Sequence, residues 1–339
     1  MKKTVILNDT SYESHHGCET VVKNIKELLL KNGIKTIDTN PVGQNWMENK
    51  SFLGNLSKVD IIIVNGEGTL HHAQPRAKEL VTIGKYIKEK YNKPIVLINS
   101  TYQDNGDEIA EYMKYFDLIY VRETLSKNDL NKYNIKSIVI PDMTFYSKYN
   151  ILKKEKSNKI GITDSVYIDL SEELYNISLK NKFEYLPALT DNKLRINNVK
   201  NILRYIKYYT YKTIKRILNM MGYKLSHQSI RTFYYTNGYK KYIDLIANLD
   251  FLIVGRYHSL CFALKTHTPF SAIRSNSHKI EGMLEDIGIG HKRIKSKENI
   301  NIIDNKIFSK DELQKINKYV NSAPQKIETM FNNIRKLLD

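Results

Sequence analysis

A short motif in the last third of the chain combines residue types that bind anions. It runs from Val254 to Ser259 with the sequence VGRYHS and contains Arg256 and His258. An apolar run that predicts a buried strand precedes it, and a pattern that predicts a helix follows it. Ligands of open α/β sheets bind where strands end, and the start of a helix offers free N–H groups to an anion. We therefore expect Arg256, His258 and Ser259 to hold the anionic part of a substrate.

A second junction of the same kind follows a predicted strand that ends at Ile273. Its Ser275, Asn276 and Lys279 supply a hydroxyl, an amide and an ammonium group. Both junctions end strands of one predicted domain, so these residues are expected at one rim of a cleft, around the same anion. Alternatively, Asn276 only caps the helix that follows.

A carboxylate flanked by glycines follows the third predicted strand. The sequence there is Gly66, Glu67, Gly68 and Thr69. A carboxylate at the end of a strand can act as general base toward a sugar hydroxyl if its pKa suits that task. Glu67 is therefore the first candidate for a catalytic base. Gly66, Gly68 and Thr69 are expected to line the cleft beside it. The alternative is a glycine-rich turn with a solvated glutamate.

Two further strand ends carry polar residues. The loop that leaves the first strand contains Asp9, His15 and His16, and Arg122 follows the fifth strand. Histidines at the start of a helix can bind an anion or accept a proton, which makes His16 the second candidate base. Asp9, His15 and Arg122 are expected at the cleft. The alternatives are a capping loop with exposed histidines and an arginine that pairs with Glu123.

Neither a metal site nor a disulfide framework is expected. The pairs His15-His16 and His71-His72 have no Asp or Cys at ligand spacing, and Cys18 and Cys261 are far apart. Cysteine usage of this kind favours a reducing cytoplasm. No run approaches the roughly 18 apolar residues that span a bilayer, and the short apolar run at the N-terminus predicts a first strand rather than a signal peptide.

The elements that must position these residues alternate between strand and helix. Strands are predicted at Thr4–Leu7, Lys35–Asp38, Ile61–Val64, Ile95–Ile98, Leu118–Val121, Ser137–Ile140, Lys159–Thr163, Phe183–Leu186, Phe251–Val254 and Phe270–Ile273. Helical patterns lie between most of them, which indicates βαβ units and parallel sheets. The predicted fold class is α/β, with two Rossmann-like domains facing a cleft and a basic helical insert in the second domain.

The domain boundaries follow from composition. An N-terminal domain is predicted over residues 1–148, with a polar linker to residue 158. A second domain is predicted over 159–308, with the basic insert at 192–243, and two helices broken near Pro324 over 309–339.

The basic insert accounts for most of the formal net charge of +17. Residues 192–243 hold twelve Lys and Arg and no Asp or Glu. Apolar residues recur at helical spacing from Val199 to Met221, with tyrosines between them. Such a helix suits an anionic membrane surface, and the alternative is a helix packed on its own domain. Nucleic acid is not expected as a partner, because no binding module surrounds the charge.

The motifs together resemble the polysaccharide pyruvyl transferase family. The segments that carry the resemblance are His16–Cys18, Val64–Leu70, Val121–Glu123 with Ser126, Gly255–Ser259 and Lys279–Gly288. The resemblance implies a GT-B-like pair of domains and transfer of pyruvate from phosphoenolpyruvate to a glycan hydroxyl, with no cofactor. Arg256 and His258 would hold the donor's phosphate or carboxylate. The acceptor would be a glycan or a lipid-linked oligosaccharide of bacterial capsule or lipopolysaccharide biosynthesis.

One position departs from the family pattern. Many members have three glycines where this chain has Gly66, Glu67 and Gly68. Some relatives resemble glycosyltransferases that use a CMP-linked keto-sugar, whose carboxylate the same Arg and His would hold. Two alternatives therefore remain beside pyruvyl transfer: such a glycosyltransferase, and a non-catalytic basic protein that binds membranes. The expected location is the cytoplasm, peripheral on the inner face of the cytoplasmic membrane.

Overall fold

A computed structural model describes residues 1–149, 157–190, 199–223, 225–236, 238–296, 298–300, 303 and 306–339. The first domain contains a six-stranded parallel sheet in the order β2-β1-β3-β4-β5-β6. Its strands are β1 (Lys2–Asp9), β2 (Ile34–Pro41), β3 (Ile61–His71), β4 (Ile95–Gln103), β5 (Leu118–Val121) and β6 (Ile138–Val139). Its helices are α1 (His16–Lys31), α2 (Lys50–Leu56), α3 (Pro75–Tyr91), α4 (Gly106–Met113) and α5 (Thr124–Asn131).

The second domain contains a five-stranded parallel sheet in the order β11-β10-β9-β7-β8. Its strands are β7 (Ile160–Ile162), β8 (Glu184–Tyr185), β9 (Phe251–Val254), β10 (Phe270–Ile273) and β11 (Ile294–Lys295). Its helices are α6 (Ile168–Asn181), α7 (Val199–Met220), α8 (His227–Ile230), α9 (Tyr239–Ala247), α10 (Tyr257–Lys265) and α11 (Lys279–Ile287). A final helix, α12 (Lys310–Lys336), follows.

Apolar runs form the central strands because helices cover both faces of each sheet. Ile61 to Val64 in β3 and Leu252 to Val254 in β9 are fully buried. One apolar cluster includes α1 of the first domain and α10 of the second, so the core continues from one domain into the other. The predicted α/β fold with two parallel sheets is confirmed.

The C-terminal segment differs from the prediction of two helices. It is a single helix that contains Pro324 and begins with a capping box formed by Ser309 and Glu312. Ala323 and Ile327, on either side of the proline, are fully buried. Apolar packing on both sides outweighs the one backbone hydrogen bond that proline removes. The helix contacts both α10 and α1, and so it joins the second domain back to the first.

Two other differences concern elements between the predicted strands. Helices α2 and α6 were not predicted, although Leu170, Leu174 and Ile177 of α6 are buried at helical spacing. The predicted polar linker lies largely outside the described residues, as do the first residues of the basic insert. The amphipathic helix of the insert is present as α7.

Candidate functional site

A cavity of about 670 Å³ lies between the two domains at the carboxyl ends of their strands. Both domains line it, and the first domain contributes the larger share. The cationic and imidazole side chains that line it are Arg76, Arg122, Arg256, Lys279, His15, His71 and His258. Its carboxylates are Glu13, Glu67 and Glu79. Nine of the predicted site residues line this cavity: Glu67, Gly68, Thr69, His15, Arg122, Arg256, His258, Asn276 and Lys279.

Arg256 is held in place by a buried carboxylate. The junction between β9 and α10 places it at the N-cap of α10. Its Nε and one terminal nitrogen donate to the same oxygen of Asp164, at 3.1 and 2.7 Å. Asp164 is itself fully buried and also accepts a hydrogen bond from the backbone N–H of Ala188. This pairing orients the guanidinium, whose side chain keeps 18 % of its surface exposed toward the cavity.

His258 lies in the first turn of α10, directly against the start of α1. A Cβ built on Gly17 would lie 2.0 Å from Cγ of His258, so only glycine permits this approach. On another side of the imidazole, Nε2 lies 3.8 Å from Oδ2 of Asp142. The Asp142 carboxylate is buried, which by itself would raise its pKa. His258 and Arg122 nevertheless hold the pKa of Asp142 well below its usual range.

Arg122 links the two domains at the cavity. It donates to Asp142 at 3.0 Å and to the hydroxyl of Thr101 at 2.7 Å, and it is 1 % exposed. The ring of Tyr257, from the second domain, stacks 4.5 Å from the guanidinium carbon. The Nε of Arg122 is buried and has no hydrogen-bond partner within the described part of the chain. Arg122 therefore supplies a fixed positive charge and an unused donor.

Glu67 occupies an unusual backbone position. Its φ of 39° lies in the left-handed region, at an irregularity in the pairing of β3 with β4. Gly66 permits this turn, because a Cβ there would lie 2.4 Å from the side chain of Ser100. A non-glycine residue held in this conformation is typical of functional sites. The local backbone therefore supports the prediction that Glu67 has a chemical role.

Three donors surround the Glu67 carboxylate. The hydroxyl of Thr10 and the amide of Asn65 donate to Oε1, and the thiol of Cys18 donates to Oε2 at 3.4 Å. The same thiol lies 3.4 Å from Oε2 of Glu13. Burial raises the pKa of Glu13, and the neighbouring Glu67 raises it further. The repulsion between the two carboxylates favours a proton on Glu13, which suits acid-base chemistry.

Lys279 extends into the cavity beside the glycine-rich turn. Its Nζ donates to the amide oxygen of Asn276 at 2.7 Å and lies against Gly68. Burial lowers the pKa of Lys279 to about 7, and the charges of Arg122 and Arg256 act in the same direction. An anion bound here would offset these charges and favour the protonated lysine.

His15 is the histidine of its pair that faces the cavity. Its Nδ1 accepts a hydrogen bond from the backbone N–H of Gly17 at 3.1 Å. Burial holds the pKa of His15 well below its usual range, and His258 and Arg256 lower it further. His15 is therefore neutral at physiological pH.

Five predicted site residues do not line the cavity. The ring of His16 is fully buried and stacks on Tyr242 at 4.3 Å, because the neighbouring His15 takes the cavity side of the helix start. Ser259 bonds to the hydroxyl of Tyr242 at 2.9 Å. Asp9 pairs with Lys26 and caps the turn after β1. Gly66 lies behind Glu67, and Ser275 bonds to the side chain of Asn276. The second candidate base is thus not placed where a substrate can reach it.

Sequence reasoning missed four polar residues. Asp142 caps the turn at Met143–Phe145, and it also faces Arg122 and His258. Asp164 and Arg76 had no motif around them. Glu13 stood within the entry loop without a predicted role. The signal that could have identified Asp142 and Asp164 is their position just after a strand end, where polar side chains meet at one sheet edge.

The fold also brings together three possible metal ligands whose spacing in the sequence does not suggest a metal site. Ligand atoms of His15, Cys18 and His258 lie within 4.8 Å of one another, and all three residues are buried. Arg256, Arg122 and Lys279 add positive charge to the same cavity. Those charges favour an anion over a metal ion at this position.

The fold and the cavity together define a GT-B architecture, in which two α/β domains face a cleft. The chain belongs to the polysaccharide pyruvyl transferase family, whose profile matches residues 7–277. This match confirms the resemblance found from the motifs and supports a transferase that modifies polysaccharides. A search of curated proteins gives no significant match.

Solved structures with a similar fold include a 2-epimerase and a protein described as one. UDP-GlcNAc 2-epimerase of Methanocaldococcus jannaschii, solved with UDP-GlcNAc and UDP, has a TM-score of 0.57 at 12 % identity. The similarity covers 99 % of this chain and 100 % of that one. A protein of Listeria monocytogenes described as a UDP-N-acetylglucosamine 2-epimerase has a TM-score of 0.55 at 10 % identity, covering 98 % and 97 % of the two chains. These similarities show the fold.

Proposed function

We propose that this protein transfers pyruvate from phosphoenolpyruvate to a glycan as a ketal, within the cavity between its domains. The observation that carries the proposal is the placement of Arg256, Arg122 and Lys279 around one space that Glu67 also faces. Phosphoenolpyruvate carries a phosphate and a carboxylate on the same carbon. Two guanidinium groups from different domains match two such anionic groups.

The reaction requires two hydroxyl groups of one acceptor sugar. The first hydroxyl oxygen forms a bond to C2 of the donor, while C3 takes up a proton and becomes a methyl group. The second hydroxyl oxygen then bonds to C2, and the bond from C2 to the phosphate oxygen breaks. The two hydroxyl protons end on C3 and on the released phosphate, so inorganic phosphate and a pyruvyl ketal are the products.

The site residues divide these tasks. Glu67 accepts the proton of an attacking hydroxyl, with the paired carboxylate of Glu13 beside it. Arg256, His258 and the first N–H groups of α10 stabilise the negative charge that develops on the departing phosphate. Lys279, protonated when an anion is bound, supports the same charge. Asp142 and Asp164 are positioning residues, because they orient His258 and Arg256.

The acceptor would bind on the side of the first domain. The cavity there is lined by polar side chains that can hydrogen-bond to sugar hydroxyls, among them Asn8, Gln44, Gln74 and Glu79. We expect a glycan or a lipid-linked oligosaccharide of cell-surface polysaccharide biosynthesis, modified at the cytoplasmic face of the membrane. No cofactor is needed for this chemistry.

A second candidate is transfer of a keto-sugar from CMP. The size of the cavity favours it, because about 670 Å³ exceeds what phosphoenolpyruvate alone would fill. A keto-sugar donor carries a carboxylate beside its reacting carbon, so Arg256 and His258 suit it as well. The space is equally suited to phosphoenolpyruvate together with an acceptor sugar.

The test combines binding with product analysis. The protein is mixed with phosphoenolpyruvate or with a CMP-linked keto-sugar, and its thermal stability is measured. Release of phosphate or of CMP is then followed with glycan acceptors. Stabilisation by phosphoenolpyruvate and acceptor-dependent phosphate release support the proposal, whereas CMP release supports the second candidate. If neither donor stabilises the protein or reacts, both are wrong.

A matched pair of arginine variants makes this test specific. Arg256→Ala should abolish stabilisation by the donor. Arg274→Ala serves as the control, because Arg274 lies beyond the end of β10 with 71 % of its side chain exposed and does not line the cavity. Equal loss in both variants would show that net charge, rather than the site, holds the donor.

A further inference from the structure

Helix α7 presents its apolar residues to solvent, unlike an ordinary helix of a soluble domain. The exposed fractions range from 41 to 82 % for Ile202, Leu203, Ile206, Ile214, Ile217 and Met220. At 3.6 residues per turn these six lie within an arc of about 120° that contains no charged residue. Thr210 and Thr213 lie in the middle turns of the same arc, between Ile206 and Ile214.

The opposite side of α7 faces the protein. Lys215 donates to the hydroxyl of Ser229 at 2.6 Å, and its Nζ lies 4.0 Å from the centre of the Tyr211 ring. Helix α7 packs on α8 and on the turn at Arg231–Tyr234. His227 of α8 bonds in turn to Tyr185 of the second domain at 2.9 Å. The helix is therefore attached through its polar side, and no other described segment covers its apolar side.

Charge distinguishes between the possible occupants of this surface. Lys207 and Arg216 border the apolar arc, and residues 192–243 contain twelve basic and no acidic residues. A second copy of the chain would bring two such basic segments together, which is unfavourable. Nucleic acid would bind the charges but would leave the apolar side chains in water. Anionic phospholipid satisfies both features, because its headgroups pair with Lys and Arg and its acyl chains accept Ile, Leu and Met.

We propose that α7 lies in the headgroup region of a bilayer that contains anionic phospholipid, with its apolar arc inserted and its basic flanks on the headgroups. Within the described part of the chain, no helix is both long enough and apolar enough to cross a membrane. This surface belongs to the second domain and involves none of the residues that line the cavity. Membrane binding by α7 therefore does not depend on which donor the protein uses.

The experiment measures binding of the full chain to vesicles by sedimentation. Vesicles contain phosphatidylcholine alone or with phosphatidylglycerol. The test variant carries Leu203→Gln, Ile206→Gln and Ile217→Gln. The control variant carries Leu30→Gln, Ile168→Gln and Leu179→Gln, three helical residues of similar exposure elsewhere on the surface. A thermal melt of each variant establishes that it is folded.

We expect the wild-type protein and the control variant to bind vesicles with phosphatidylglycerol and to bind phosphatidylcholine weakly. The test variant should lose at least about tenfold in affinity, since three side chains no longer enter the acyl region. Equal binding of the test and control variants would overturn the proposal. Binding that does not depend on phosphatidylglycerol would also overturn it. A third contrary result is a wild-type protein that does not bind vesicles but forms an oligomer that the test variant abolishes.

Discussion

Replacing Gly17 by alanine should disturb the contact that brings the two domains together at the cavity. Gly17 lies in the first turn of α1, and His258 lies in the first turn of α10. The added Cβ would lie 2.0 Å from Cγ and 2.3 Å from Cβ of His258. Carbon atoms in contact are normally about 3.5–4.0 Å apart.

The size of the effect follows from which atoms collide. Cβ of His258 does not move when the side chain changes rotamer, so α1 and α10 must separate. Overpacking of this kind costs about 1–3 kcal/mol. Alanine in place of glycine returns up to about 1 kcal/mol of helix propensity. We expect the free energy of unfolding to fall by about 1–2 kcal/mol, and the rate of transfer to fall about a hundredfold, as a displacement of roughly 1 Å can cause.

Urea unfolding of matched variants measures the stability part. Gly54→Ala is the control, because Gly54 lies in α2, has no positive φ, and has no atom within 4 Å of an added Cβ. That variant should gain about 0.5–1 kcal/mol. Gly17→Ala in a protein that also carries His258→Gly should cost nothing, because the colliding atoms are gone. The difference between the two backgrounds gives the coupling energy.

The activity part uses acceptor-dependent phosphate release. A Gly17→Ala protein with wild-type stability and wild-type rate would refute the reasoning, since it would show that α1 and α10 do not approach as described. A loss of stability that persists unchanged in the His258→Gly background would also refute it. The destabilisation would then arise from the helix start rather than from His258.

Three further predictions concern the charged and nucleophilic groups. Affinity for phosphoenolpyruvate should be highest below about pH 7 and should fall between about pH 7 and 9, because Lys279 with its pKa of about 7 loses its charge there. Calorimetry at several pH values measures this affinity, and for Lys279→Met the affinity should not change with pH. Asp164→Asn should weaken donor binding about tenfold by freeing the Arg256 guanidinium, which the donor-induced thermal shift would report. Cys18 and Cys261 are buried with raised pKa values, so a thiol reagent at neutral pH should modify them only after unfolding.

The order of strands and helices along the chain was largely predictable. Apolar runs such as Ile61 to Val64 and Phe251 to Val254 have no alternation, which is typical of strands buried on both faces. The observed bounds of β9 match the prediction because the apolar pattern is local. Strand β3 instead continues past Val64 to His71, so Glu67 lies within the strand rather than after it. The prediction failed at Pro324, where burial of Ala323 and Ile327 against both domains keeps a single helix. That packing involves residues distant in sequence.

The candidate site was predictable in its general position but not in its details. Their positions after predicted strands placed Arg256, His258 and Lys279 around one cleft, and the structure brings these residues together. The choice between His15 and His16 depends on where α1 begins and on how it rotates against α10. One residue of difference turns a side chain by about 100° around a helix, and His16 consequently stacks on Tyr242.

Residue types and their spacing were enough to establish parallel α/β domains, an anion-binding junction at Gly255–Ser259 and an amphipathic basic helix. They could not reveal that Asp142 serves both Arg122 and His258, or that Asp164 holds Arg256. Nor could they show that the apolar side of α7 is turned away from the protein. The first set of features depends on interactions between near neighbours in the chain. The second depends on contacts between segments far apart in sequence, and those contacts exist only after the two sheets, α1 and α10 have packed together.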